Sequence, residues 1–173
     1  MERARPIVAR GVDASARDEI GRLLRELVGS RTIQLDQLAA GLHGTATAQT
    51  ILASDDGGLT LMLVRFPHEA ATPVHDHRSW GVACVVEGVD RHLHWRRTDD
   101  ETAAGRATIV VDEERELHAG DVVHWGDPPD DIHSQQGVGA AAYELVCFGR
   151  NPMNGTRHYF DPHHGTVTER PPA

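Results

Sequence analysis

From about residue 45 onward the apolar residues come in short, β-branched runs, each closed by Gly, Pro or Asp. This pattern predicts strands over 47–53, 59–66, 72–76, 80–87, 90–97, 106–111, 121–125, 131–136 and 140–149. The breaks fall at Asp55-Asp56-Gly57-Gly58, Glu87-Gly88, Thr98-Asp99-Asp100, Ala119-Gly120-Asp121 and Asp127-Pro128-Pro129. Many short strands at regular spacing bury their apolar faces by forming a sandwich or closing into a barrel. Before them, residues 13–28 read as a helix: Asp13 or Ser15 can cap it, Ile20, Leu23, Leu24, Leu27 and Val28 share one face, and Gly29 ends it. A second short helix is expected over 32–41, carrying Ile33, Leu35 and Leu38 and stopped by Gly41. The stretch after Gly149 is rich in Pro, Asn, Gly and His and is expected to wrap the outside. With no internal repeat and no linker, the 173 residues read as one domain: a helical segment over 1–44 packed on a barrel over 45–149, then the wrap over 150–173.

Composition narrows the function. A net charge of −9 argues against a nucleic-acid or acidic-membrane surface, because phosphates need a basic stripe. No run approaches the ~18 apolar residues of a membrane span, and the N-terminal MERARPIVARGVD has no apolar leader core. Cys84 and Cys147 form no C-x-x-C pair, so neither a zinc knuckle nor a redox motif is expected, and the chain reads as cytoplasmic and reduced.

Histidine is over-represented, with twelve in the chain. The sharpest cluster is Thr72-Pro73-Val74-His75-Asp76-His77. On a strand, alternation places His75 and His77 on one face, about 7 Å apart along the chain, with Asp76 turned away. Both imidazoles can then close on one ion, and neutral imidazole suits iron, zinc, copper and nickel alike. The best third ligand is His133, which a Gly-Asp turn, a short strand and the Pro128-Pro129 turn would bring back across a small barrel. The rival pair His92 and His94 sits among Arg91, Arg96 and Arg97 and is expected on the surface, as are His118 and His124.

The order H-x-H, Gly88 eleven residues after His77, then G-D-V … P-P-x-D-I-H resembles the two motifs of the cupins. Most cupins place a glutamate ligand four or five residues after the H-x-H; here those positions are Gly81 and Val82. A three-histidine cupin of this kind is similar to the thiol dioxygenases, the family of cysteine dioxygenase and 3-mercaptopropionate dioxygenase. PVHDHRSWGVACVVEG, PPDDIH and the closing RHYFDPHHGTVTERP are all close to its bacterial branch. The resemblance implies an all-β fold, a cupin double-stranded β-helix or jelly-roll barrel, with two short N-terminal helices ahead of it. It implies Fe(II) on His75, His77 and His133, a small-molecule thiol and O₂ as reaction partners, and a sulfinate product.

The chain departs from that family at one place. The Ser-x-His-x-Tyr-Gly relay, aligned on Gly149, falls on Glu144, Val146 and Phe148, while Tyr143 is one residue out of register and faces the other side. Glu144 is expected either at the pocket or facing water, the second being preferred, and Val82 occupies the family's cross-linking cysteine position. For the substrate carboxylate, the cysteine branch uses a position resembling Gln49; the mercaptopropionate branch uses an arginine nine residues after the relay tyrosine, which is Arg157 here. The expected substrate residues are therefore Arg157, Gln49 and Phe148. The alternative reading keeps the metal-binding cupin but gives it a non-thiol substrate or a small-molecule sensing role. A zinc or nickel site doing isomerase or hydrolase work is a third.

Overall fold

A computed structural model describes residues 1–30, 34–56 and 58–172. Helix α1 (Arg5–Val8) is a single turn with a proline near its start, and it was not expected. Helix α2 (Ala14–Gly29) begins where the sequence places it, with the Asp13 carboxylate accepting from the Ala16 N–H at 2.8 Å. Helix α3 (Leu35–Leu38) runs into a 3₁₀ turn at Ala39–Gly41. The start of the expected second helix, Thr32 and Ile33, lies outside the described residues, as does Gly57 of the first turn.

Eleven strands follow among the described residues: β1 (Ala48–Ser54), β2 (Thr60–Phe66), β3 (Val74–His75), β4 (Gly81–Glu87), β5 (Val89–Arg97), β6 (Ile109–His118), β7 (Val122–Trp125), β8 (His133–Gly137), β9 (Ala142–Phe148), β10 (Arg157–Asp161) and β11 (Thr166–Arg170). They form two antiparallel sheets, ordered β1-β2-β9-β4-β7 and β11-β10-β3-β8-β5-β6. This is the double-stranded β-helix. The nine expected strands are all present. Two differences matter. First, β6 runs on to His118 through an exposed, charged stretch that carries no apolar alternation. Second, the segment after Gly149 is no outer wrap: β10 and β11 form a hairpin, and β10 pairs with β3, Tyr159 opposite His75 and Phe160 opposite Val74.

Strand alternation divides the core. On β4 and β9, Val82, Cys84, Leu145 and Cys147 point outward and pack under Ile20 and Leu24 of α2. Ala83, Val85, Val146 and Phe148 point into the barrel with Met62, Val64, Phe66 and Trp125. Both cysteines are free and buried; burial pushes the Cys147 thiol up to about 12, which makes it inert packing. Gly88 joins β4 to β5 at φ +84°, and a Cβ there would lie 2.6 Å from the Ala141 carbonyl oxygen, so the motif glycine is required by both conformation and space. No helix among the described residues is long and apolar enough to cross a membrane.

Candidate metal centre

His75 is on β3 directly opposite His133 on β8. His77 lies just past the end of β3, where the chain turns sharply at Arg78 in the left-handed region (φ +54°). That turn is held by Asp131, whose carboxylate accepts from the N–H groups of His77 (3.1 Å) and Arg78 (2.6 Å). Asp76 does turn away, as alternation requires. It accepts from the His158 N–H (2.8 Å) and contacts His158 Nδ1 (2.6 Å), fastening β10 beside β3.

The three imidazoles converge. His77 Nε2 is 3.2 Å from His75 Nε2 and 3.1 Å from His133 Nε2. Imidazole binds a divalent metal at about 2.0–2.1 Å, so three such nitrogens spread at right to tetrahedral angles lie about 2.8–3.4 Å apart. The observed spacing fits a three-nitrogen metal cage, and these are the grouped ligands found among the described residues. The protonation state fits too. Burial, then the Arg157 charge, brings His75 down to about 4, and burial together with neighbouring imidazoles drives His77 and His133 well below the usual histidine value. His75 Nδ1 is 2.8 Å from the Pro73 carbonyl, which fixes its proton there and leaves the Nε2 lone pair for the ion.

The missing carboxylate ligand has a steric cause. A Cβ at Gly81 would lie 2.1 Å from Cζ2 of Trp125. The indole occupies the room that a side chain at 81 would need. Its Nε1 donates to the Ser79 carbonyl (3.1 Å), and its ring stacks on His77 (5.8 Å, 25°) and meets His133 edge-on (4.5 Å, 73°). The sequence reading missed Trp125; the glycine at 81 was its signal.

A cavity of about 210 Å³ opens beside His75 and His77. Gln49, Phe148 and Arg157, the three residues expected from sequence, all line it, together with Tyr159 and Arg170 of the C-terminal hairpin, which were not expected. Arg157 is only 9% exposed, and its one side-chain hydrogen bond among the described residues goes to the Pro152 carbonyl (2.7 Å). Gln49 Nε2 contacts Met153 Sδ at 3.0 Å on the rim. Phe148 packs on the His77 ring (4.7 Å), so the wall there is apolar where the resembling family carries a hydroxyl.

Three surface expectations are corrected. His92 is buried, its ring 5.3 Å from His133, because β5 pairs with β8 and places His92 opposite Gln135 on the interior face. His94 is half-buried at the barrel's end, with Nε2 near the Asp130 carbonyl. Glu144 does not face water: it is fully buried and accepts from Gln135 Nε2 (2.9 Å), which also reaches Asp90 (3.3 Å). Burial raises Asp90 to about 7; burial and then the Asp90 charge raise Glu144 well above the carboxylate range. The pair therefore holds protons that the unfolded chain has released above about pH 4–5, so the stability it contributes is lost as pH rises through about 7. The buried histidines act oppositely below pH 6.5. Glu144→Gln isolates the acidic pair. Its melting temperature relative to wild type should climb between pH 5 and 8, and a pH-independent difference would show that the two acids do not share this behaviour.

No protein-family model matches the sequence, and no curated protein matches it. Among solved structures the chain is similar to a cupin superfamily protein from Desulfitobacterium hafniense (15% identity, 61% of this chain and 79% of that one, TM-score 0.44). It is also similar to an oxalate oxidase (19%, 64% and 54%, TM-score 0.47) and to a DMSP lyase from Ruegeria pomeroyi (18%, 64% and 50%, TM-score 0.46). The chain thus spans about half the length of those two enzymes. What this protein does has to be read from its own side chains.

Proposed function

We propose that the protein is an iron(II) thiol dioxygenase that oxidises a small carboxylate-bearing thiol, of the 3-mercaptopropionate or cysteine kind, to its sulfinate. The observation that carries this is a buried arginine without a carboxylate partner among the described residues, lining the same small cavity as His75 and His77 of the three-imidazole cage. His75, His77 and His133 would hold a divalent ion as neutral ligands that leave its full charge, and iron(II) held there would supply thiolate binding and O₂ activation. The balance is RSH + O₂ → RSO₂H: both oxygen atoms end on sulfur, whose four electrons reduce them, so no other reductant enters.

The chain's own residues do the positioning. Arg157 grips the carboxylate with parallel N–H donors and so aims the sulfur at the His75/His77 side of the cavity. Phe148, Val146 and Met62 keep that wall dry, and Gln49 offers an amide at the rim. Each charge-assisted bond is worth roughly 1.5–3 kcal/mol. Arg157→Ala should therefore raise KM for a carboxylated thiol about 10- to 100-fold while changing KM for cysteamine, which has no carboxylate, by far less. Sulfinate formation from a panel of thiols by the iron-loaded protein is the test, and no sulfinate from any of them would sink the reading. A second reading, oxygenation of a non-thiol substrate or sensing in the same cavity, is favoured by the apolar Val146 and Phe148 in place of a polar relay.

A further inference from the structure

The C-terminal hairpin sets two arginines against each other. Arg157 on β10 is the direct cross-strand partner of Arg170 on β11, and both line the cavity. Directly opposed side chains on an antiparallel pair share a face at about 4.5–5.5 Å between Cβ atoms, and like charges placed so are destabilising. The acids nearby are engaged elsewhere, and Asp76 acts on Arg157 through its charge without an ion pair. Glu169 pairs with Arg78 (2.9 Å), Asp76 with His158 (2.6 Å) and Asp161 with His164 (2.7 Å). Among the described residues neither Arg157 nor Arg170 has a carboxylate within ion-pair reach.

The two guanidiniums also sit at different depths. Arg157 is buried beside the cage. Arg170 is exposed at the mouth, lying over the Tyr159 ring at 4.1 Å, and Tyr159 in turn stacks on His75 (6.1 Å, 27°). One carboxylate fills one guanidinium fork bidentately. Two forks at two depths therefore call for two acids on one ligand.

We propose that the cavity selects a substrate with two acidic groups, one held deep by Arg157 and one at the rim by Arg170; joined to the thiol dioxygenase reading, on which only its thiol part rests, this makes the substrate a thiol diacid. The test separates the two claims. Binding of succinate and of propionate to the metal-loaded full chain is measured by calorimetry for wild type, Arg170→Gln and Arg157→Gln. Succinate should bind at least 10-fold more tightly than propionate to wild type. Arg170→Gln should erase that preference and leave propionate unchanged, and Arg157→Gln should weaken both. Equal affinity for the two acids in wild type, or a succinate preference that survives Arg170→Gln, would overturn the proposal. Sulfinate formation is then measured with mercaptosuccinate and 3-mercaptopropionate. If neither is oxidised while the Arg170-dependent preference for succinate persists, the thiol dioxygenase reading falls and the diacid site stands.

Discussion

His133→Ala should leave the protein unable to retain metal through dialysis against a weak chelator. His133 is 1% exposed, lies opposite His75 across β3 and β8, and supplies one of three converging nitrogens. Losing an outer partner of a metal ligand typically costs 10- to 100-fold in affinity, so losing one of only three ligands should cost more than that. His94→Ala should retain metal near the wild-type level. His92→Ala should fall between the two, because its ring packs against His133 and its removal leaves a hole behind the ligand. Elemental analysis per chain, with circular dichroism to show that each variant is folded, reads the result. Full occupancy in His133→Ala would mean that the ion is held elsewhere.

Gly81→Ala is expected to be the most damaging single methyl in the barrel wall. The added carbon would sit 2.1 Å from the Trp125 ring, which is itself wedged against His77, His133 and Phe148. The indole cannot yield without moving a ligand. A cost of about 3 kcal/mol, at the upper end for overpacking, is expected. At this chain length that lowers Tm by about 6–12 °C. Trp125→Leu should lose packing and the hydrogen bond to the Ser79 carbonyl, and the double variant should recover part of the loss, since the clash needs both residues. Simple addition of the two effects in thermal melts would show that position 81 and the indole do not compete for the same space.

Most of the barrel was legible because its strands alternate over well-marked turns. The elements that escaped lack that signature. The middle of β6 is Asp-Glu-Glu-Arg-Glu, exposed throughout on an edge strand, so no apolar face betrays it. The C-terminal hairpin hides among Pro, Gly and His, although Arg157, Tyr159 and Phe160 are buried in it. His75, His77 and His133 were readable from motif spacing. His92 was not, because its charged neighbours Arg91 and Arg96 are exposed while it points in. Glu144 misled for a related reason. A carboxylate reads as surface unless a partner is visible; Asp90 is distant in sequence, and Gln135, nine residues away, reaches Glu144 only because β5, β8 and β9 fold together. Trp125 could be recognised only by asking what fills the space beside a glycine.

β3 is two residues long and is gripped on one side by β8 and on the other by β10. The strand that presents His75 thus depends on one that emerges from the ribosome some eighty residues later. Two of the three histidines are synthesised near the middle of the chain and the third about three-quarters of the way along, yet His75 gains its second neighbour only when β10 arrives. Metal capture should therefore lag behind closure of the first sheet during synthesis. In the finished molecule, any breathing that lifts β10 loosens a ligand and Arg157 together. An acid held by Arg157 as proposed would pin β10 in place and slow escape of the ion, and, because such couplings are reciprocal, the ion would tighten the grip on the acid.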